Sequence, residues 1–212
     1  MKDLKLIIFD LDGTLVDAYQ AIISSFNYTM SKLKVRQQSN SAIRRAVGCG
    51  DENLLKPFIN EKDLKKALTI YRRHHKKALL KDSRLFSGAK KLLSQLKEKG
   101  YKLAVASNRP TRFSWILIRH LGLKKYLDYV LCADRLKQGK PNPEIMNKIL
   151  RRFSLKPENA LYVGDMVVDA QAGRRSKIKT VIVTTGSNTR PEIEKEGPFF
   201  IIPKIAQLLK LL

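Results

Sequence analysis

The chain has 212 residues, 43% of them hydrophobic, which excludes a disordered protein and allows one domain, or one domain carrying an insertion, with a substantial core. Its 42 Lys and Arg stand against 19 Asp and Glu, a formal charge of +23, so more than half of the cations have no acidic partner in the chain and must face water or an anion. Such a field steers phosphorylated substrates and favours nonspecific nucleic-acid binding, or serves solubility alone.

The start, Met1-Lys2-Asp3-Leu4-Lys5, runs into an apolar stretch too short for a signal-peptide core or a bilayer span, so a cytoplasmic protein with no membrane partner is expected. The first predicted strand, Leu4 to Asp10, breaks into Asp10-Leu11-Asp12-Gly13-Thr14. Two carboxylates that close either share a proton or are neutralised by a cation, for which a hard, oxygen-loving ion such as magnesium is the simplest answer. An ordinary acidic turn is the plainer alternative.

From Val16 to Asp82 the pattern is helical with no convincing strand, with candidate helices at Asp17 to Leu33, Asn40 to Val47 and Glu61 to Leu80. An all-helical insertion after the first strand reads as a separate small cap over the strand ends, which assigns residues 16–82 to the cap and 1–15 plus 83–212 to the core. Gly48-Cys49-Gly50-Asp51-Glu52 breaks the cap helices, either as a loop reaching over a site or as a simple turn. Arg44 and Arg45, just before it, either meet a carboxylate or second phosphate of a substrate or are solvated. Gly48 and Gly50 belong to the same weak cap set. Cys49 and Cys132 exclude a disulfide framework and a four-cysteine zinc site, and read as buried or inert thiols. The last cap helix carries a positive band from Lys62 to Lys77. His74 and His75 within it point about 100° apart and are poor joint metal ligands.

Beyond the cap, strands are predicted at Lys102 to Ala106, Tyr129 to Cys132, Ala160 to Val163 and Lys179 to Val183, with a weaker one at Phe199 to Ile202. Helical patterns separate most of them, such as Ala89, Leu92, Leu93, Leu96 and Ile145, Ile149, Leu150. This alternation implies an α/β fold, a Rossmann-like, doubly wound parallel sheet covered on both faces. In such a sheet ligands bind at the carboxyl ends of strands. The second strand ends in Ser107-Asn108-Arg109-Pro110, where a hydroxyl and the first N–H groups of a helix hold an anion or merely cap the helix. Phe113 and Trp115, in the helix that follows, read as core. Gly139-Lys140-Pro141-Asn142-Pro143 presents a cation in a rigid turn, able to bind phosphate and hold a carboxylate ionised. Leu161-Tyr162-Val163 ends in Gly164-Asp165-Met166-Val167-Val168-Asp169. If Asp165 opens a helix, Asp169 lies one turn further on the same face.

This series, Asp-Leu-Asp-Gly-Thr, Ser-Asn, Lys-Pro, then Gly-Asp with a second Asp four residues on, resembles the haloacid dehalogenase-like hydrolases, and within them the phosphoglycolate phosphatase-like branch. The resemblance spans Asp10 to Asp169, with the helical insertion where that family carries its cap. It implies that Asp10 attacks phosphorus and forms an aspartyl-phosphate, and that Asp12 protonates the leaving oxygen and then activates water. It places magnesium between Asp10, the backbone carbonyl of Asp12 and Asp165, with Asp169 in support. Thr14, Ser107, Asn108 and Lys140 form the phosphate-binding set.

An acid at Asp12 favours phosphoryl transfer over dehalogenation, because a departing halide needs no proton. The expected activity is magnesium-dependent hydrolysis of a small phosphomonoester such as phosphoglycolate, by a monomer or homodimer. A sugar phosphomutase is the alternative within the superfamily. A basic nucleic-acid-binding protein with little catalysis is the alternative outside it, although no basic stripe interleaved with aromatics supports that reading. Two positions depart from the family pattern: Met166 replaces a small hydroxyl residue, and Lys177 stands where a Gly commonly ends the next helix.

Overall fold

The computed structural model describes residues 3–212. In chain order these form β1 (Leu6–Phe9), β2 (Val16–Asp17), α1 (Tyr19–Lys32), α2 (Asn40–Ala46), α3 (Gly50–Leu55), α4 (Glu61–Asp82), β3 (Arg84–Leu85), α5 (Ala89–Glu98), β4 (Lys102–Ser107), α6 (Thr111–His120), β5 (Tyr129–Cys132), α7 (Glu144–Phe153), β6 (Ala160–Gly164), α8 (Val167–Arg175), β7 (Lys179–Val183), α9 (Arg190–Glu194) and β8 (Phe200–Ile202). Six strands make one sheet in the order β5-β4-β1-β6-β7-β8, every pairing parallel. The order reverses at β1, so the crevice at the carboxyl ends of β1, β4 and β6 is the switch point where such folds bind ligands.

Both faces of the sheet are apolar because both are covered. Ile7, Phe9, Leu103, Val105, Leu161 and Val163 point to one side, onto Leu92, Leu93 and Leu96 of α5 and Leu117 and Ile118 of α6. Leu6, Ile8, Ala104, Ala106 and Tyr162 point to the other, onto Ile145, Met146, Ile149 and Leu150 of α7. The insertion has its own core, in which Ile22, Phe26 and Met30 of α1 meet Ile43, Leu54, Leu55, Ala67 and Tyr71.

The structure departs from the sequence reading, or adds to it, in five places. Helix α1 starts at Tyr19 rather than Asp17, because Val16 and Asp17 pair antiparallel with Leu85 and Arg84 in a two-stranded ribbon joining core and cap. The break after Gly48 is a helix start: Asp51 and Glu52 sit in the first turn of α3, where acids complement the helix dipole, and Gly50, the first residue of α3, takes a left-handed φ of 86°. Cys132 is buried as expected, but Cys49 is exposed. Phe113 is core and also lines the cavity described below. Lys177 itself adopts the left-handed conformation, φ 58°, at the end of α8, at a cost of about 1 kcal/mol relative to glycine.

Candidate active site

A cavity of about 60 Å³ opens between the carboxyl ends of β1, β4 and β6 and the cap. Asp10 extends β1 by one residue, its N–H donating to the Val163 carbonyl at 2.8 Å. This fixes its carboxylate at the sheet edge, where Oδ1 accepts from Lys140 Nζ at 2.6 Å. Asp10, Asp12, Ser107, Asn108, Lys140 and Asp169 all line the cavity.

Lys140 is the buried centre of the arrangement. Its ammonium donates to Asp10 Oδ1, Asp169 Oδ1 (2.7 Å), the Tyr162 hydroxyl (2.9 Å) and the Ala106 carbonyl (3.1 Å). Burial alone would pull its pKa down, but Asp10 and Asp169 outweigh burial and hold it above its ordinary value. Asp169, in the first turn of α8, reaches back with Oδ2 to the N–H groups of Asp165 and Met166, at 3.1 and 3.0 Å. Its Oδ1 also accepts from Tyr162 at 2.6 Å. Both oxygens are thus engaged by protein donors, and Asp169 acts as a brace for Lys140 and for the Asp165 turn.

Asp165 is fully buried, with Oδ1 accepting from the Thr14 hydroxyl at 2.9 Å and Oδ2 buried without a partner. An orphaned buried carboxylate oxygen costs about 1–3 kcal/mol or more. A side chain at Gly13 or Gly186 would run into this carboxylate, so two glycines leave the space around it. Asp10, Asp165 and Asp169 can each bring one oxygen within 4.8 Å of the others. This all-oxygen set fits a hard divalent cation and is poorly suited to a soft one. Thr14, expected among the phosphate binders, is buried and spends its hydroxyl on Asp165, so it orients that acid instead.

Burial raises the Asp10 pKa from 3.8 to about 7, with Lys140 only partly offsetting it and Asp169 adding repulsion. Burial, then repulsion from Asp169 and Asp10, puts Asp165 well above the usual carboxylate range. In metal-free protein between pH 4 and 7, the folded state therefore holds protons that the unfolded state has lost. Stability falls as pH rises through that window. Urea unfolding of chelator-treated protein at pH 5 and pH 7 should give a lower midpoint at pH 7, the reverse of a protein whose acids are held by salt bridges.

The remaining predicted residues divide. Ser107 Oγ accepts from the Arg109 N–H at 3.1 Å, leaving its own proton for a ligand. Asn108 ties three segments: Nδ2 donates to the carbonyls of Gly48 (2.8 Å) and Lys140 (2.9 Å), and Oδ1 accepts from the Lys140 N–H (2.8 Å). Gly48 and Gly50 line the cavity. Arg44 and Arg45 do not: Arg44 lies over the Tyr19 ring, 3.8 Å from its centroid, and Arg45 pairs with Glu192 of α9 at 2.7 Å, an exposed clasp between cap and core.

Sequence reasoning missed Arg109 and His75. Arg109 is buried, and its Nε and Nη2 donate to the two oxygens of Asp12 at 2.6 and 2.7 Å. Nη1 lies 2.6 Å from His75 Nε2, and His75 Nδ1 lies 3.1 Å from Ser25 Oγ, which donates to the Ala21 carbonyl at 2.7 Å. Burial and the Arg109 charge push the His75 pKa well below its ordinary value. A neutral ring beside a guanidinium accepts at Nε2 and donates from Nδ1, so a continuous hydrogen-bond chain runs from cap helix α1 to Asp12.

The family model for haloacid dehalogenase-like hydrolases matches residues 7–183. The chain is 30% identical over 217 residues to a phosphoglycolate phosphatase of Nitrosospira multiformis, covering 99% of this chain and 96% of that one. It is 28% identical to the pyrophosphatase PpaX of Bacillus cereus, covering 97% and 95%. A crystal structure of a predicted phosphoglycolate phosphatase from Haemophilus somnus superposes with a TM-score of 0.93 at 28% identity, covering 100% and 99% of the two chains. The matched span, the shared architecture and the acids gathered at the switch point agree: the chain belongs to the haloacid dehalogenase-like hydrolase family, among its phosphatases of the phosphoglycolate phosphatase-like branch.

Proposed function

We propose that the protein is a magnesium-dependent phosphatase of small phosphomonoesters, phosphoglycolate among them, that works through an aspartyl-phosphate. The observation that carries this reading is Asp10: one oxygen is held by the Lys140 ammonium, and the residue borders a cavity that Ser107, Asn108 and Asp12 also line. Asp10 and Asp165, with the backbone carbonyl of Asp12, would hold the ion, and Asp169 would support them. When bound, magnesium neutralises the phosphoryl oxygens and keeps Asp10 ionised.

The chain's own groups account for the rest. Asp10 attacks phosphorus as the ester P–O bond breaks, and Asp12 gives its proton to the departing alkoxide. Lys140, the Ser107 hydroxyl and the Asn108 N–H meet the equatorial oxygens, where charge shifts in the transition state. Asp12, now a base, takes a proton from water. That water attacks phosphorus, the bond to Asp10 breaks, and phosphate leaves.

Phosphate release from phosphoglycolate, pyrophosphate, sugar phosphates and p-nitrophenyl phosphate, with magnesium and with chelator, tests the reading. Magnesium-dependent release is expected, and no release from folded protein would refute it. Asp12→Asn should slow phosphate release from alkyl phosphates by about 10²–10⁴-fold, while with p-nitrophenyl phosphate the first step should be slowed much less, since nitrophenolate leaves without a proton, and the second step, which lacks its base, becomes the slow one. In that variant phosphate should accumulate on Asp10, visible as a mass increase of the intact protein under acid quench.

A further inference from the structure

We propose that Arg109 is the receptor for a second anionic group on the substrate, a carboxylate or phosphate close to the ester oxygen, and that it takes this group by exchanging partners with Asp12. The proposal rests on the phosphatase reading and deepens it by naming the substrate class.

Among the described residues lining the cavity, Lys140 and Arg109 are the only Lys or Arg. Lys140 is engaged by Asp10 and Asp169 at the phosphoryl position. Among the described residues Arg109 is therefore the one lining cation away from the phosphoryl position, and the one able to meet the rest of a substrate if it exchanges its present partner. The other charged groups on the wall, Asp10, Asp12, Asp51 and Asp169, repel an anionic tail. A substrate with a second negative charge close to its ester oxygen gains entry only through Arg109.

The present partner fixes where that charge must lie. Both oxygens of Asp12 are occupied by the planar fork of Nε and Nη2. An acid engaged in this way cannot turn to the leaving oxygen, so turnover requires the fork to let go. A carboxylate or phosphate attached next to that oxygen offers the guanidinium the same bidentate geometry and charge, and the exchange then loses little. A substrate with a neutral end offers nothing in return, and the fork stays on Asp12.

His75 makes the exchange a pivot. Its Nε2 holds Nη1 at 2.6 Å, while Ser25, anchored on the Ala21 carbonyl, holds the ring at Nδ1 from the cap side. The Nε and Nη2 edge, which holds Asp12, a residue of the cavity wall, is left to choose between Asp12 and substrate. His75 is thus a positioning residue, and it places this part of specificity under control of cap helix α4.

The test uses Asp10→Asn protein with saturating magnesium, in which ligands bind without turnover, and compares phosphoglycolate with 2-hydroxyethyl phosphate by calorimetry. Phosphoglycolate should bind about 30-fold more tightly, equivalent to about 2 kcal/mol. Adding R109Q should bring the two affinities within about 3-fold of each other, and H75L should reduce the preference by about 3- to 10-fold. R109K, which keeps the charge without the fork, should fall between and decides the matter if R109Q does not fold. Equal affinities in the Asp10→Asn protein, or a preference that survives both Arg109 variants, would overturn the proposal. Phosphate release by the wild-type protein is read separately: release without discrimination refutes the receptor and leaves the phosphatase, while discrimination without release does the opposite.

Discussion

Asp10→Asn is expected to lower phosphate release by about 10⁴-fold or more while the protein stays folded, because a carboxamide is not a nucleophile at phosphorus. The fold survives because Asp10 is only one of the acceptors around Lys140. Its ammonium keeps Asp169 at 2.7 Å, Tyr162 at 2.9 Å and the Ala106 carbonyl at 3.1 Å. The substitution also removes a group whose pKa burial raises to about 7, so the fall in metal-free stability between pH 4 and 7 should become shallower than in wild type. A circular-dichroism melt and a phosphate-release assay on one preparation check both statements. Activity near wild type would end the covalent mechanism, and an unfolded variant would contradict the account of Lys140.

The acids at the sheet edge were legible because the physics that places them is local. An apolar run that stops at a polar residue marks the carboxyl end of a buried strand, and β1, β4 and β6 each end that way at Asp10, Ser107 and Gly164-Asp165. Lys140 was legible only through its place between two such ends. Arg109 was not, since in a chain with 42 Lys and Arg one more carries no signal. Its meaning comes from His75, 34 residues earlier on a cap helix. Periodicity separates His74 from His75 by about 100° but does not say which faces inward. Packing decides that: His75 is buried against Tyr71 and Phe113, while His74 stacks on the exposed Tyr28.

Other misses share this cause. The ribbon strands β2 and β3 are two residues each, too short to show alternation, and exist because their pairing closes the joint between core and cap. Thr14 follows the acids in sequence and so reads as part of the phosphate site, yet the left-handed turn at Gly13 sends its hydroxyl to Asp165. Arg45 lies beside the cap break, but its partner Glu192 is 147 residues away. In each instance the deciding contact is long-range, and no window of the sequence contains both partners.

Lys140→Met should be the most damaging single change to stability. Met matches the length of the lysine stem and removes the ammonium with its charge and its four hydrogen bonds, so the loss reports polar interactions rather than a large cavity. Without the ammonium, Asp10, Asp165 and Asp169 face one another in a buried site, and breaking such a pairing costs about 3–5 kcal/mol. Asp10 and Asp165, whose pKa values burial already raises, can relieve this by taking up protons, so the deficit against wild type should be largest at pH 8 and shrink at pH 5. Urea midpoints of both proteins at the two pH values measure it, and a deficit independent of pH would show that packing, not charge, is what Lys140 provides. Activity should fall by about 10²–10³-fold or more, since the phosphoryl oxygens lose a preorganised cation. Lys140→Arg separates charge from shape. A guanidinium keeps the positive charge and so should recover part of the stability at pH 8, but its plane cannot meet Asp10, Asp169, Tyr162 and the Ala106 carbonyl from one nitrogen as the ammonium does. Stability partly restored without activity is the expected outcome, because a cation of either shape offsets the buried acids, whereas the reaction requires that cation at the position of one atom.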